Sequence, residues 1–152
     1  MALESVEEVS FQSAPRRSSP SQSPLGYRPS LIKSTEVTFH YTCRETRFGD
    51  RVAMVGNLAL LGHWDPLRAV ELSTTPDCYP VWTIKIDLPR DRVVEYKYLV
   101  LTGKGTRQAV DWEVLPVNRL VDTHGKKEVE VFDKMDSLEQ VEEYVEAGEK
   151  RA

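Results

Sequence analysis

From Thr35 onward, apolar and polar residues take turns along the chain. Val37, Phe39 and Tyr41 share one parity and Thr38, His40 and Thr42 the other, which is the period of a half-buried strand. Phe48-Gly49-Asp50 reads as a turn. Val52-Ala53-Met54-Val55-Gly56 is almost wholly apolar, as a central strand covered on both faces would be. Residues 69–73 make a short edge-strand candidate. Trp82, Ile84, Ile86 and Leu88 then alternate with Thr83, Lys85 and Asp87, placing Trp82 in the core. After a Pro89-Arg90-Asp91 turn, Val94, Tyr96, Tyr98 and Val100 line one side of the next strand, with Glu95 and Lys97 on the other. A Gly103-Lys104-Gly105 turn follows, then short stretches at 109–112, 117–121 and 128–132. About eight strands with turn signals at this spacing predict an all-β antiparallel sandwich over residues 35–133.

The flanks differ in character. Residues 1–30 are rich in Ser, Pro and Arg, with too few apolar positions to offset the entropy of ordering, and read as a disordered tail. Residues 137–152 are Glu-rich and carry Leu138, Val141, Tyr144 and Val145 at helical spacing, the pattern of a short acidic amphipathic helix or the start of a linker.

Composition narrows the partners. Twenty Lys and Arg against 24 Asp and Glu give a net charge of -4 in 152 residues, without the basic field that nucleic acid requires. No apolar run approaches the roughly 20 residues that span a bilayer. The start lacks the positive flank and apolar stretch of a secretory signal, so a cytoplasmic monomer is expected, with a plastid the alternative that a Ser-rich leader leaves open. Cys43 and Cys78 read as reduced thiols, a single disulfide being the alternative.

Catalytic chemistry finds little support. His40, His63 and His124 are scattered without ligand spacing, and no phosphate-cradling glycine loop or nucleophile elbow occurs, so neither metal nor cofactor is expected. Asp111 and Glu113 share a parity around Trp112, but two acids beside an aromatic in a small sandwich are more often hydrogen-bonding groups than a hydrolase dyad. Tryptophan is more informative. Trp64 follows a glycine and precedes an Asp-Pro turn, and Trp112 stands ahead of the irregular Pro116; partly exposed indoles offer flat apolar faces to sugar rings. For either ring alone, plugging an end of the sandwich is the simpler role.

Taken in order, Phe48-Gly49-Asp50, Val55-Gly56-Asn57, Leu61-Gly62-His63-Trp64-Asp65, Pro80-Val81-Trp82, Glu95-Tyr96-Lys97-Tyr98, Trp112-Glu113 and Asn118-Arg119 resemble the starch-binding modules of carbohydrate-binding family 20, across residues 37–132. The resemblance implies an immunoglobulin-like antiparallel sandwich and non-catalytic binding of an α-glucan such as starch, amylopectin or glycogen. It implies a sugar site of Trp64, Lys97, Trp112, Glu113 and Asn118. A second, weaker site would use Phe48, where the family places a tyrosine, and Tyr79. Residues 113–117 form a longer and more apolar connection than the family's. The rival readings are a module tethered to the catalytic domain of a glucan phosphatase or dikinase, and a protein-interaction adaptor on the same sandwich.

Overall fold

The computed structural model describes residues 33–104 and 107–148; the expected tail at 1–30 lies outside them. The described chain forms β1 (Ser34–Thr42), β2 (Arg51–Gly56), β3 (Val70–Glu71), β4 (Val81–Pro89), β5 (Val93–Thr102), β6 (Ala109–Trp112), β7 (Arg119–Asp122), β8 (Lys126–Lys134) and β9 (Ser137–Glu146). Two short 3-10 turns, Ala59–Trp64 and Pro66–Arg68, connect β2 to β3.

Two sheets result. One runs in the order β9-β8-β1-β4; the other runs β3-β2-β5-β6, with β7 also paired to β5. Every pairing is antiparallel except β1 with β8, which lie parallel, Val37 opposite Val129 and Phe39 opposite Val131. A period of two sets which side chains share a face and is silent on strand direction, so the alternation carried no sign of this pair.

Alternation does set the core. Val37, Phe39 and Tyr41 of β1, Trp82 and Leu88 of β4, Val94, Tyr96 and Tyr98 of β5, and Val129 and Val131 of β8 bury their side chains between the sheets. The tyrosines form an aromatic spine: Tyr41 stacks on Tyr98 at 3.7 Å between centroids, and Phe39 meets Tyr96 edge-on at 5.0 Å. Tyr96 and Tyr98 both donate their hydroxyls to Asp133 Oδ2, at 2.7 and 2.8 Å, so their polar ends are satisfied inside the core.

The C-terminal expectation of a helix or linker is corrected. Residues 137–146 are the strand β9, which returns antiparallel to β8 through Met135-Asp136, with Asp136 in the left-handed region at φ 55°. An isolated helix of this length is marginal in water, whereas the neighbouring edge of β8 supplies ladder partners from Lys134 to Lys126, with register shifts between Ser137 and Gln140 and between Val145 and Glu146. Val141, Tyr144 and Val145 are good strand formers, and Lys126 bonds Glu142 at 2.6 Å while lying 4.7 Å from the centre of the Tyr144 ring. The strand count therefore rises from eight to nine among the described residues.

Burial raises the phenols of Tyr41, Tyr96 and Tyr98 above the ordinary tyrosine range, reinforced by the carboxylates of Glu113 near Tyr41 and of Asp133 near the other two. The unfolded chain releases these protons near about pH 10 while the fold retains them. The stabilisation is complete below that value and is lost as pH rises past it. Melting temperature followed by circular dichroism should hold from neutral pH to about 9 and fall steeply above about 10; a flat profile through pH 11 would contradict the burial of these phenols.

Candidate functional site

The site grows from an interruption in the β5 ladder. Along one edge of β5, residues 93–96 pair with β7 and residues 99–102 pair with β6. Lys97 and Tyr98 lie between the two pairings. There the chain leaves β6 at Trp112, passes through the connection at 113–118, and enters β7 at Arg119. Glu113 fills the vacant rung: its N–H donates to Tyr98 O at 3.2 Å and its Oε2 accepts from Tyr98 N at 2.9 Å.

Parity then decides which side chains face outward. Tyr96 and Tyr98 point into the core, so Glu95, Lys97, Leu99 and Leu101 occupy the outer face of the sheet. Trp112 is the direct ladder partner of Leu99 and shares that face, 41% exposed. On the other side of β5, Val55 pairs with Lys97 and Ala53 with Leu99. Ala53, Val55, Leu99 and Leu101 form a small outer cluster on which Trp64 packs. Trp64, Lys97 and Trp112 thus lie on the outer face of one sheet.

Trp64 is held there by an unusual backbone. Gly62, His63 and Trp64 have successive φ values of 81°, 49° and 67°, all left-handed. A Cβ on Gly62 would lie 2.7 Å from Arg68 O, so glycine is required by space as well as conformation. For His63 and Trp64 the same region costs on the order of 1–2 kcal/mol each. Asp65 anchors the return: its N–H donates to Gly62 O at 2.9 Å and its Oδ1 accepts from Leu67 N at 3.0 Å. Strain of this kind persists where surrounding contacts over-determine the backbone. Unlike a ring lying free on a loop, Trp64 is half-buried and covers apolar surface.

Asn118 reaches the same face through Glu95. Its Nδ2 donates to Glu95 Oε1 at 2.9 Å, and Glu95 N donates in turn to Asn57 Oδ1 at 3.1 Å. That bond uses one of the two amide N–H groups, which leaves the second N–H as a donor and Asn118 Oδ1 as an acceptor. Close approach at this corner explains Val55-Gly56-Asn57, because a Cβ on Gly56 would sit 2.5 Å from Glu95 O.

Glu113 is a correction. It was expected to touch sugar, but its side chain is 1% exposed and both carboxylate oxygens are occupied: Arg119 Nε donates to Oε2 at 2.9 Å and Arg119 Nη2 to Oε1 at 2.7 Å. Strand parity turns Glu113 inward because Trp112 faces outward. Burial alone would lower the pKa of Arg119, but hydrogen bonding and charge from Glu113, with Asp133 adding, hold it above the usual range and firmly protonated. Neither Glu95 nor Arg119 is marked out in the sequence as a support. The available signals are local: Arg119 follows the face residue Asn118 with opposite parity, and Glu95 shares the parity of Lys97 two positions along the same strand.

The second pair of aromatics sits apart from this sheet face. Asp50 closes the Arg47-Phe48-Gly49-Asp50 turn, accepting from Arg47 N at 2.8 Å, and leaves Phe48 fully exposed at its tip. Tyr79 Oη donates to Arg44 O at 3.2 Å and lies 3.3 Å from Thr46 Oγ1, which ties Tyr79 to the loop that carries Phe48.

Comparison with known proteins identifies the sandwich that carries this face. A family model described as a starch binding domain matches residues 34–132. An alpha-amylase of Thermomonospora curvata is 44% identical over 63 residues, 41% of this chain and 10% of the amylase. A glycoside hydrolase family 15 glucoamylase from Hypocrea jecorina superposes with a TM-score of 0.60 and 32% identity, over 73% of this chain and 19% of the glucoamylase. The family 20 carbohydrate-binding module of a maltotetraose-forming amylase from Pseudomonas saccharophila STB07 matches along its entire length and 66% of this chain, with a TM-score of 0.54 and 30% identity. The chain spans a small fraction of the length of the full enzymes it resembles. Matched by that model over more than half its length, the chain belongs to the starch-binding domain family, family 20 of the carbohydrate-binding modules.

Proposed function

We propose that the outer face of the β3-β2-β5-β6 sheet binds an α-glucan, with Trp64 and Trp112 stacking against glucose rings and Lys97 and Asn118 bonding their hydroxyls. The observation that carries the reading is that both indoles and Lys97 share one surface across three neighbouring elements. An adaptor whose tryptophans were buried or turned apart would lack such a surface. Sugar rings combine apolar C–H faces with equatorial hydroxyls, so a flat aromatic flanked by a cation and an amide suits them. The role is tethering: binding holds whatever is attached to the module at a polysaccharide surface. A second reading, a module within a larger glucan-active enzyme, is favoured by the small share of each relative that the chain covers. Cys43 and Cys78 are unpaired, with Cys78 exposed, which supports a reducing, intracellular setting.

We further propose a single competent sugar site. Phe48 offers a ring but no hydroxyl, and the Tyr79 hydroxyl is already engaged with Arg44 and Thr46.

Sedimentation with insoluble starch and titration calorimetry with β-cyclodextrin test these readings. The wild type should bind with a stoichiometry near one, and affinity should change little with ionic strength because the ligand is neutral. A stoichiometry of two, or steep salt dependence, would overturn the single neutral-sugar site.

Trp112→Ala should abolish measurable binding and leave the melting temperature near wild type. Trp64→Ala should abolish binding and also cost about 1–2 kcal/mol of stability, because its ring covers the outer cluster. Retention of binding by both variants would show that the glucan lies elsewhere.

A further inference from the structure

We infer that the buried Glu113–Arg119 ion pair is the device that sets the spacing of the sugar face, so that both are positioning residues for a ligand neither one touches. The inference rests on the proposed glucan reading of that face.

Trp112 and Asn118 are joined by an irregular connection whose Val114 and Val117 side chains are exposed. Such a segment has no ladder of its own to fix its ends. Each end, however, is followed directly by a charged residue of opposite parity. Glu113 follows Trp112 and Arg119 follows Asn118, and the two meet beneath the connection in a bidentate pair, 2.9 and 2.7 Å, each 1% exposed. The planar guanidinium donates to both oxygens of a carboxylate only edge to edge, in a narrow range of geometries, so the pair fixes a distance and an angle between the ends.

The pair is itself held from below. Glu113 is registered on β5 through Tyr98 N and Tyr98 O. Arg119 Nη2 donates to Lys134 O at 2.7 Å, Nη1 lies 3.3 Å from Asp133 Oδ1, and the guanidinium carbon sits 5.3 Å from the Tyr98 ring centre. Arg119 is thus held by a carboxylate, a second carboxylate, a carbonyl and an aromatic ring at once. Buried ion pairs contribute little net stability compared with apolar packing, and are best accounted for where they specify geometry. Here the geometry specified is the separation of one stacking ring from one hydrogen-bonding amide, with Lys97 rising between them from the open rung of β5.

Glu113→Gln keeps the shape and removes the charge, and Arg119→Lys keeps the charge and removes the fork. Leu88→Ala serves as the control, opening a cavity in the opposite sheet on β4, an edge strand separated from β8 by β1. Each full chain is titrated with β-cyclodextrin by calorimetry well below its own melting temperature, with folding checked by circular dichroism. Glu113→Gln and Arg119→Lys should each raise Kd about tenfold through lost preorganisation. Leu88→Ala should lose at least as much in Tm while keeping the wild-type Kd. Wild-type affinity in either folded variant of the pair, or an equal rise of Kd in Leu88→Ala, overturns the positioning role. Absence of binding by the wild type itself would defeat the glucan reading before any variant is compared.

Discussion

One guanidinium links the two sheets of this sandwich and fixes how they sit at the sugar-facing connection. Arg119 enters from β7 in the five-stranded sheet and contacts Glu113 at the end of β6, then Asp133 and the Lys134 carbonyl on β8 in the opposite sheet. Two buried carboxylates share that single cation, an arrangement that would be costly if the excess negative charge were left bare. It is not bare. Asp133 also accepts from Tyr96, Tyr98 and Gln140, and Glu113 from the Tyr98 amide. A fully satisfied network of this kind rigidifies what it joins, whereas removal of any one donor leaves a carboxylate short of partners in low dielectric.

The two stacking rings are fixed by different means. Trp64 rests on apolar surface that its own sheet would otherwise expose, and three left-handed residues are tolerated to put it there. Burial of that outer cluster offsets the backbone cost, so ring and cluster support each other. Trp112, the more exposed ring, is placed by its rung opposite Leu99 and by the charged residue that follows it. Loss of apolar contact disturbs the first ring; loss of charge geometry disturbs the second.

Strand parity made much of this legible in the sequence. The run from Val81 to Leu88 and the Tyr96/Tyr98 alternation against Lys97 assign inner and outer faces directly, and the outer position of Lys97 follows from it. What stayed hidden was long-range. Glu113 is six positions from Arg119 across an irregular connection, and no local pattern announces that their side chains meet. The same holds for Asp133, which accepts from tyrosines more than thirty residues away. Helical spacing misled at residues 137–146, because Leu138, Val141 and Tyr144 satisfy a 3.6-residue period while the deciding fact, an open edge on β8, lies outside the segment.

That last strand is more than an appendage to the matched domain. β9 begins beyond the residues that the family model covers, yet Gln140 leans inward to donate to both Tyr96 Oη, at 2.9 Å, and Asp133 Oδ1, at 3.1 Å. One amide therefore connects the outermost strand of one sheet to the charge cluster that anchors β7 in the other. Lys126 reinforces it by bonding Glu142 across the hairpin. β9 itself lies outside the apolar core, exposing Leu138, Val141, Tyr144 and Val145 beside Glu139, Glu143 and Glu146. What it contributes is polar: it pairs with the edge of β8 and completes the hydrogen bonding of Asp133, and through Asp133 and Arg119 it is joined to the face that carries Trp112.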